Sequence, residues 1–442
     1  MEQNALSRKI TVASLMSFAM PTVAMMVFMN LYTMVDGVFI SRLVGIEALS
    51  AVNLVYPFIM LVMTVGIMLS AGGSAVIARK MGEGRQEEAN RNFSMLILLG
   101  VVIGFTVLLL GKVFLPSLVQ LLGANETVLP YCILYLSTLL PFMPCFVLQI
   151  LFQGFFVTAG HSGLGLGAVA LGGVTNILLD YVFVYSMGWG IAGAAVATGI
   201  GYSVPGLIGL FYFTVSQRKG CGLRLVRPVI DGKVLLHVVA NGSSEMVTNL
   251  AGSVTMYLFN ITMMRLLGAD GVAAITIILY TDAILVAIYF GYSMGTAPLI
   301  SYNYGEGNEE KLKRIKKISF SALAVFGVAV LLAAVSLASP MAAIFSGQGT
   351  PVYHLVVEGL PKFSIAYLFM GINIFASAWF TALSNGRVSA FISFMRTFVF
   401  LVAGILLLPL LWGIIGLWFT VPVAEFLSLF VTAYCMKKYS EV

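Results

Sequence analysis

Charge is scarce in this chain. Of 442 residues, 24 are Lys or Arg and 18 are Asp or Glu, 10% in all, where a soluble domain carries about 25%. Cysteine and histidine are scarcer still. Cys132, Cys145, Cys221 and Cys435 have no metal or redox spacing, which argues against disulfides and metal sites. His161, His237 and His354 are scattered near span ends and form no metal or catalytic cluster. No nucleophile–base arrangement appears, so an enzyme is not expected. No P-loop is present, which excludes ATP as a motor. The short head MEQNALSRK leads into a long apolar run without a small-residue cleavage site, so that run reads as a retained helix rather than a signal peptide.

What fills the chain instead is apolar. Hydrophobic residues make up 60% of it, and the mean hydropathy is +1.00. Apolar runs of about 20 residues recur along the whole length and do not alternate with polar residues, so the fold class is an all-α polytopic membrane protein rather than a β-barrel. Twelve spans are predicted, at 13–41, 49–78, 92–115, 128–157, 164–186, 191–214, 234–264, 272–300, 317–338, 353–382, 387–409 and 413–436. The polar stretch SQRKGCGLRLVRPVIDGK is the one inter-domain linker, so the chain divides into a lobe at 1–215, a cytoplasmic linker at 216–233 and a lobe at 234–442.

The net charge of +6 sits mostly in loops and calls for no nucleic-acid partner. Nineteen Lys and Arg fall at one set of span ends and four at the other, with Arg396 inside a span. By the positive-inside rule both termini are cytoplasmic, which also requires an even number of spans.

The two lobes repeat. RLVGIEALSAV (Arg42–Val52) matches RLLGADGVAAI (Arg265–Ile275), 223 positions later. The pairs MGEG and YGEG, VTAG and FTAL, and WGIAG and WGIIG all share that offset of 223. Two homologous six-helix lobes of the same orientation are related by a pseudo-two-fold axis along the membrane normal. Such two-lobed repeats are characteristic of secondary transporters.

A charge inside a span costs several kcal/mol, roughly, unless paired or wetted, so each one needs a reason. Asp36 lies six residues before the end of span one, Asp180 seven before the end of span five, and Thr198 seven into span six. All three therefore lie roughly 10 Å below the same surface. Asn176 is one turn from Asp180, on the same helix face. With no basic residue in these spans, the four oxygen-bearing side chains can hold a small hard cation or one or two protons. The structural alternative makes Asp36 a helix cap and Asp180 a protonated, hydrogen-bonded core group. At the repeat offset these residues face Phe259, Val399, Ala403 and Val421, so the second lobe lacks the pocket. A purely structural role would more naturally recur in both lobes.

The second lobe has other charges. Glu245 lies in span seven, Asp282 in span eight, Arg396 in span eleven and Glu425 in span twelve. Arg396 is expected to pair with Glu425 or Asp282, Glu425 being the better candidate. Glu245 and Asp282 either are structural or face a wet cleft that attracts a cationic substrate. Pro21, fifteen residues before Asp36, permits a bend in span one.

The repeat, the Gly-Glu-Gly loops, Asn176-x-x-x-Asp180 and the GSSE at Gly242–Glu245 together resemble the multidrug and toxic compound extrusion (MATE) family, in its MepA-like and DinF-like bacterial branch. The likeness covers nearly the whole chain. It implies a V of two six-helix lobes in the bacterial cytoplasmic membrane. It implies antiport of cationic amphipathic small molecules against H⁺ or Na⁺ by a monomer among membrane lipids, with no cofactor. In the archaeal and DinF-like branch of that family, the resemblance implies, a cation site of the first lobe corresponds to Asp36, Asn176, Asp180 and Thr198. Its conformational proline corresponds to Pro21, and a further acid of the second lobe in another branch corresponds to Glu245. The rival expectation within the same superfamily is a flippase for lipids or lipid-linked oligosaccharides. Its pyrophosphate cargo would need more basic residues in the cleft than Arg396.

Overall fold

A computed structural model describes residues 5–7, 9–215 and 222–439. Arg8, both chain ends and, in the predicted linker, Ser216–Cys221 lie outside the described residues. The described residues form helices, turns and extended connections without strands. The first lobe comprises α1 (Val12–Leu43), α2 (Ile46–Gly82), α3 (Gln86–Val113), α4 (Leu129–Thr158), α5 (Ser162–Ser186) and α6 (Gly190–Val215). The second comprises α7 (232–267), α8 (269–305), α9 (Glu309–Phe345), α10 (351–382), α11 (386–412) and α12 (414–439).

Two of these divisions fall at glycines within otherwise continuous helices. Gly268 at φ 65° separates α7 from α8, and Gly413 at φ 57° separates α11 from α12. Both conformations suit glycine and strain a residue with a β-carbon. The first-lobe equivalents, Gly45 and Gly190, also have positive φ. The two halves of α10, Pro351–Ser364 and Tyr367–Ala382, bend by 52°. Its repeat partner α4 is interrupted at the matching place by the tight turn Leu140–Phe142.

Several helices run past the predicted spans. α9 starts eight residues early because Glu309 and Glu310 favour a helix N-terminus and Lys313 pairs with Glu309 one turn away. α3 starts early for the same reason, with Glu87 and Glu88 in its first turn.

The lobes meet through glycines placed by the repeat. A β-carbon on Gly82 would overlap the Tyr302 carbonyl oxygen. Its counterpart Gly305 would overlap that of Arg79, so both halves of the contact obey the 223 offset. Likewise Gly72 packs on the Val238 carbonyl and Gly242 on that of Met68. On the related side, a β-carbon on Gly291 would lie 2.5 Å from Val23 Cα, and one on Gly295 would lie 2.9 Å from Ala19 Cα. All these approaches lie in the half of α1, α2, α7 and α8 nearest the basic loops. Close backbone contact between small residues is how helices associate in lipid, where no hydrophobic force draws them together.

The contact makes a prediction. Gly82→Leu combined with Gly305→Leu pushes the lobes apart at the basic face. Spin labels at Glu87→Cys and Glu310→Cys then report a longer mean distance than in the parent pair. An unchanged distance distribution would show that these glycines do not set the closure.

Candidate functional site

The first-lobe site depends on how closely α1, α5 and α6 approach. A β-carbon on Gly172 would lie 2.6 Å from the Gly201 carbonyl oxygen, and one on Gly201 would lie 2.8 Å from Asn176 Cβ. The backbones of α5 and α6 therefore touch. That contact brings Asn176, one turn beyond Gly172, beside Thr198, three residues before Gly201. A β-carbon on Gly173 would lie 2.7 Å from the Phe28 ring, so α1 also presses on α5. Regular α-helix in α5 ends at Asp180 and continues as a π-helical turn, Tyr181–Ser186. Such turns re-aim side chains and are frequent at functional sites.

These contacts bring all four predicted residues together. Asp36, Asn176 and Thr198 line a cavity of about 30 Å³, walled also by Tyr32, Thr33 and Tyr202, with Gly172 and Gly201 completing it. Asp180 lies outside the lining, one turn beyond Asn176, with its carboxyl group near enough to that of Asp36 for the two to interact. Asp180 is fully buried, Asn176 is 3% exposed and Thr198 is 7% exposed. Asp36 Oδ1, Asn176 Nδ2, Thr198 Oγ1 and both carboxyl oxygens of Asp180 are buried without a hydrogen-bond partner. Two carboxylates that meet in such a place cannot both stay charged and unpartnered. The volume suits a bare monovalent cation or a water or two. The donor set is oxygen-rich, as a hard cation requires.

Pro21 lies elsewhere. It sits in the unbroken α1 between Ala19 and Val23, the positions against which Gly295 and Gly291 of α8 pack. Pro21 therefore belongs to the seam between lobes and not to the cavity wall.

The second lobe solves the burial of charge internally. Arg396 Nε donates to Glu425 Oε1 at 2.7 Å, and Asn373 Nδ2 donates to Glu425 Oε2 at 2.8 Å. Thr432 Oγ1 donates to Asn373 Oδ1 at 2.8 Å, which fixes the amide. Arg396 lies on a second π-helical turn, Met395–Phe400, which has no counterpart at the repeat offset. The expected ion pair is thus present, with Glu425. Asp282 is half-buried and accepts a hydrogen bond of 2.9 Å from the Tyr367 hydroxyl. Glu245 is half-buried and within electrostatic reach of Arg396. Its neighbour Ser244 starts a buried hydroxyl chain through Thr381, Ser389 and Ser377 to Ser393, with links of 2.8 to 3.1 Å. Among the described residues no group of three or more His, Cys, Asp or Glu side chains is placed to hold a metal ion.

Sequence reasoning missed Tyr32, Tyr202, Tyr367 and Asn373. A signal existed for three of them. Tyr32 is four residues before Asp36, and Tyr202 four after Thr198, so each shares a helix face with a predicted residue. Asn373 is a lone amide in an apolar run. Tyr367 reaches Asp282 from α10, and only the tertiary fold shows it.

The buried ion pair yields a second prediction. Arg396→Ala leaves Glu425 charged and half-satisfied, and should destabilise the protein by about 3–5 kcal/mol. Arg396→Met with Glu425→Leu should cost far less. Thermal unfolding of the purified variants in one detergent checks this. Equal losses would show that packing, not the lone charge, sets the cost.

The chain resembles known proteins over most of its length. The family model MatE matches residues 21–182 and again 246–407. A curated FAD transporter of Shewanella oneidensis is 24% identical over 71% of this chain and 70% of its own length. The multidrug export protein MepA of Staphylococcus saprophyticus is 22% identical over 91% of this chain and 87% of its own. Among solved structures, one described as the outward-facing conformation of a multidrug resistance MATE family transporter superposes with a TM-score of 0.93 at 22% identity, over all of this chain and 98% of that one. Another, a MATE protein in complex with MaL6, also superposes with a TM-score of 0.93 at 22% identity, over all of this chain and 99% of that one. These structures share the twelve-helix, two-lobe fold. The chain belongs to the MatE family, the multidrug and toxic compound extrusion transporters, and is a membrane transporter and not an enzyme.

Proposed function

We propose that this transporter is a cation-coupled antiporter that exports amphipathic organic cations. The observation that carries this reading is the meeting of Asp36 and Asp180 beside a cavity of about 30 Å³, with five polar atoms of the cluster left without partners. A proton or Na⁺ partners the carboxyl oxygens among those atoms, whereas Asn176 Nδ2, a donor, needs an acceptor. Asp36 fronts the cavity and binds the ion. Asp180 shares its charge, while Asn176 and Thr198 supply neutral oxygens. Ion occupancy favours release of cargo and return to the opposite opening. Pro21 softens α1 at the lobe seam, fifteen residues before Asp36.

In this reading the basic loops and both termini face the cytoplasm, and the lobes are residues 1–215 and 234–442 joined by 216–233. The protein works as a monomer. Glu245 and Asp282, both half-buried, give the second lobe a negative inner surface that attracts a cationic cargo or takes part in coupling. The multidrug-export relatives support small-molecule cargo.

The FAD-transporter relative favours a second reading, export of an anionic dinucleotide. It requires free cationic groups in the cleft, and Arg396, the one basic residue deep in a span, is engaged by Glu425. The flippase reading meets the same objection.

Inverted membrane vesicles separate these readings. A fluorescent lipophilic cation, or FAD, is offered under an imposed proton gradient and, separately, an imposed Na⁺ gradient. The expected result is accumulation of the cation under one gradient, with at least tenfold loss in Asp36→Asn and in Asp180→Asn at equal expression. Full activity in both variants would move coupling to the second lobe. Accumulation of FAD alone would replace the antiporter of cations.

A further inference from the structure

Residues 222–231, which lead into α7, are not a free tether. They run extended along α3, held at fixed register by side chains of that helix. Gln86 Nε2 donates to the Gly222 carbonyl at 3.1 Å. The Arg224 amide donates to Asn90 Oδ1 at 3.2 Å, and the Val226 amide donates to Ser94 Oγ at 2.8 Å. The Asp231 amide meets Met95 Sδ at 3.3 Å. Asn90 and Ser94 are 2% and 4% exposed. The strap is therefore seated on the first lobe and moves with it.

This register fixes its depth. Between Gln86 and Ser94 the strap travels about 12 Å along α3, at about 1.5 Å per residue. Over that distance α3 changes from the polar QEEANRN to the apolar run that begins at Phe93. Arg224 is thus level with the last polar turn. Val229 and Ile230 come level with the first apolar turn, and they are 51% and 79% exposed. Leu236, at the start of α7, is 71% exposed beside them. Two arginines at the level of the polar boundary, with bare aliphatic side chains just below, match the cross-section of a phospholipid monolayer.

The arginines are also unspent. The side chains of Arg224 and Arg227 take part in none of the ion pairs or hydrogen bonds among the described residues, whereas Arg79, Lys80, Arg85 and Arg91 all have glutamate partners. Among the described residues, Arg224, Leu225, Val226 and Arg227 border an open surface hollow of about 450 Å³. A guanidinium fork recognises a phosphate by paired hydrogen bonds. Asp231, the one acid of the strap, caps α7 through the Lys233 and Val234 amides and pairs with neither arginine.

We propose that this strap is a binding site for the phosphodiester headgroup of an anionic phospholipid. Arg224 and Arg227 hold the phosphate, and Val229 and Ile230 insert beside the acyl chains. The lipid comes from the inner leaflet if the basic face is cytoplasmic, as read above. The binding chemistry itself does not depend on that reading or on transport.

Native mass spectrometry of the detergent-solubilised full chain tests this with equimolar phosphatidylglycerol and phosphatidylcholine. The expected result is preferential retention of phosphatidylglycerol, weakened roughly tenfold or more in R224Q/R227Q. Retention persists in K313Q/K317Q, which removes as many charges elsewhere on the same face. Ile230→Asp, which leaves both arginines in place, also weakens retention. Arg227→Gln alone carries the test should the double variant fail to fold. Equal retention in wild type and R224Q/R227Q overturns the proposal. So does equal loss in K313Q/K317Q, which would mean a general basic surface. Displacement of the lipid by millimolar inorganic phosphate would mean a site for free anions instead.

Discussion

A carboxylate in hydrocarbon persists only with a partner, and the two lobes obtain theirs by opposite means. In the second lobe the partners belong to the chain. Glu425 has Arg396 and Asn373, and Asp282 has the Tyr367 hydroxyl. In the first lobe Asp36 and Asp180 face one another, and both are acceptors when ionised. No basic side chain reaches them among the described residues. A site whose partner is built in is a fixed piece of architecture. Two facing carboxyl groups with no basic side chain beside them need a proton or a cation, and the proposed cycle gives that place to the coupling ion.

The glycine contacts between lobes show what keeps this asymmetry compatible with a duplicated fold. Gly82 with Tyr302 and Gly305 with Arg79 are one contact written twice at the repeat offset. The seam is symmetric even though the sites are not. Helix α1 touches both regions. Ala19 and Val23 press on α8, and Asp36 lies 13 to 17 residues further along the same helix, about 20–25 Å away. Pro21 sits at the seam end of that lever. A change in the ionic state of Asp36 and a change in the fit between lobes are therefore conditions on a single helix.

Most of this fold could be read in the sequence because lipid imposes simple rules. Runs of apolar residues mark spans, and the offset of Arg42 to Arg265 marks the duplication. Matching depths along straight helices placed Asp36, Asn176, Asp180 and Thr198 near one another, and the structure brings them together. What could not be read depends on helix contacts with no periodic signature. The Gly172–Gly201 crossing sets the width of the cavity. The π-helical turns after Asp180 and at Arg396 shift the helical phase by a residue, which a fixed repeat of 3.6 cannot anticipate. Tyr367 meets Asp282 from a helix 85 positions away. The extensions of α3 and α9 beyond lipid were missed because a search for apolar runs stops where charge begins, whereas charge of the right sign prolongs a helix.

The dimensions of the first-lobe site bear on how antiport would work. Antiport needs ion and cargo to disfavour each other, either by competing for one carboxylate or by preferring different openings. A drug-sized ligand fills about 300–1,000 Å³, and the cavity at Asp36 offers about 30 Å³. Competition there would require α5 and α6 to part. Their backbones are already in contact at Gly172 and Gly201, and a hydrogen-bonded helix does not stretch to make room. The cargo of the proposed cycle therefore does not share the cavity at Asp36. In the proposed cycle the ion then acts on the cargo through α1, the helix that joins the ion site to the seam. On this argument the small size of the ion site is what separates the two ligands, and the shared helix is what couples them.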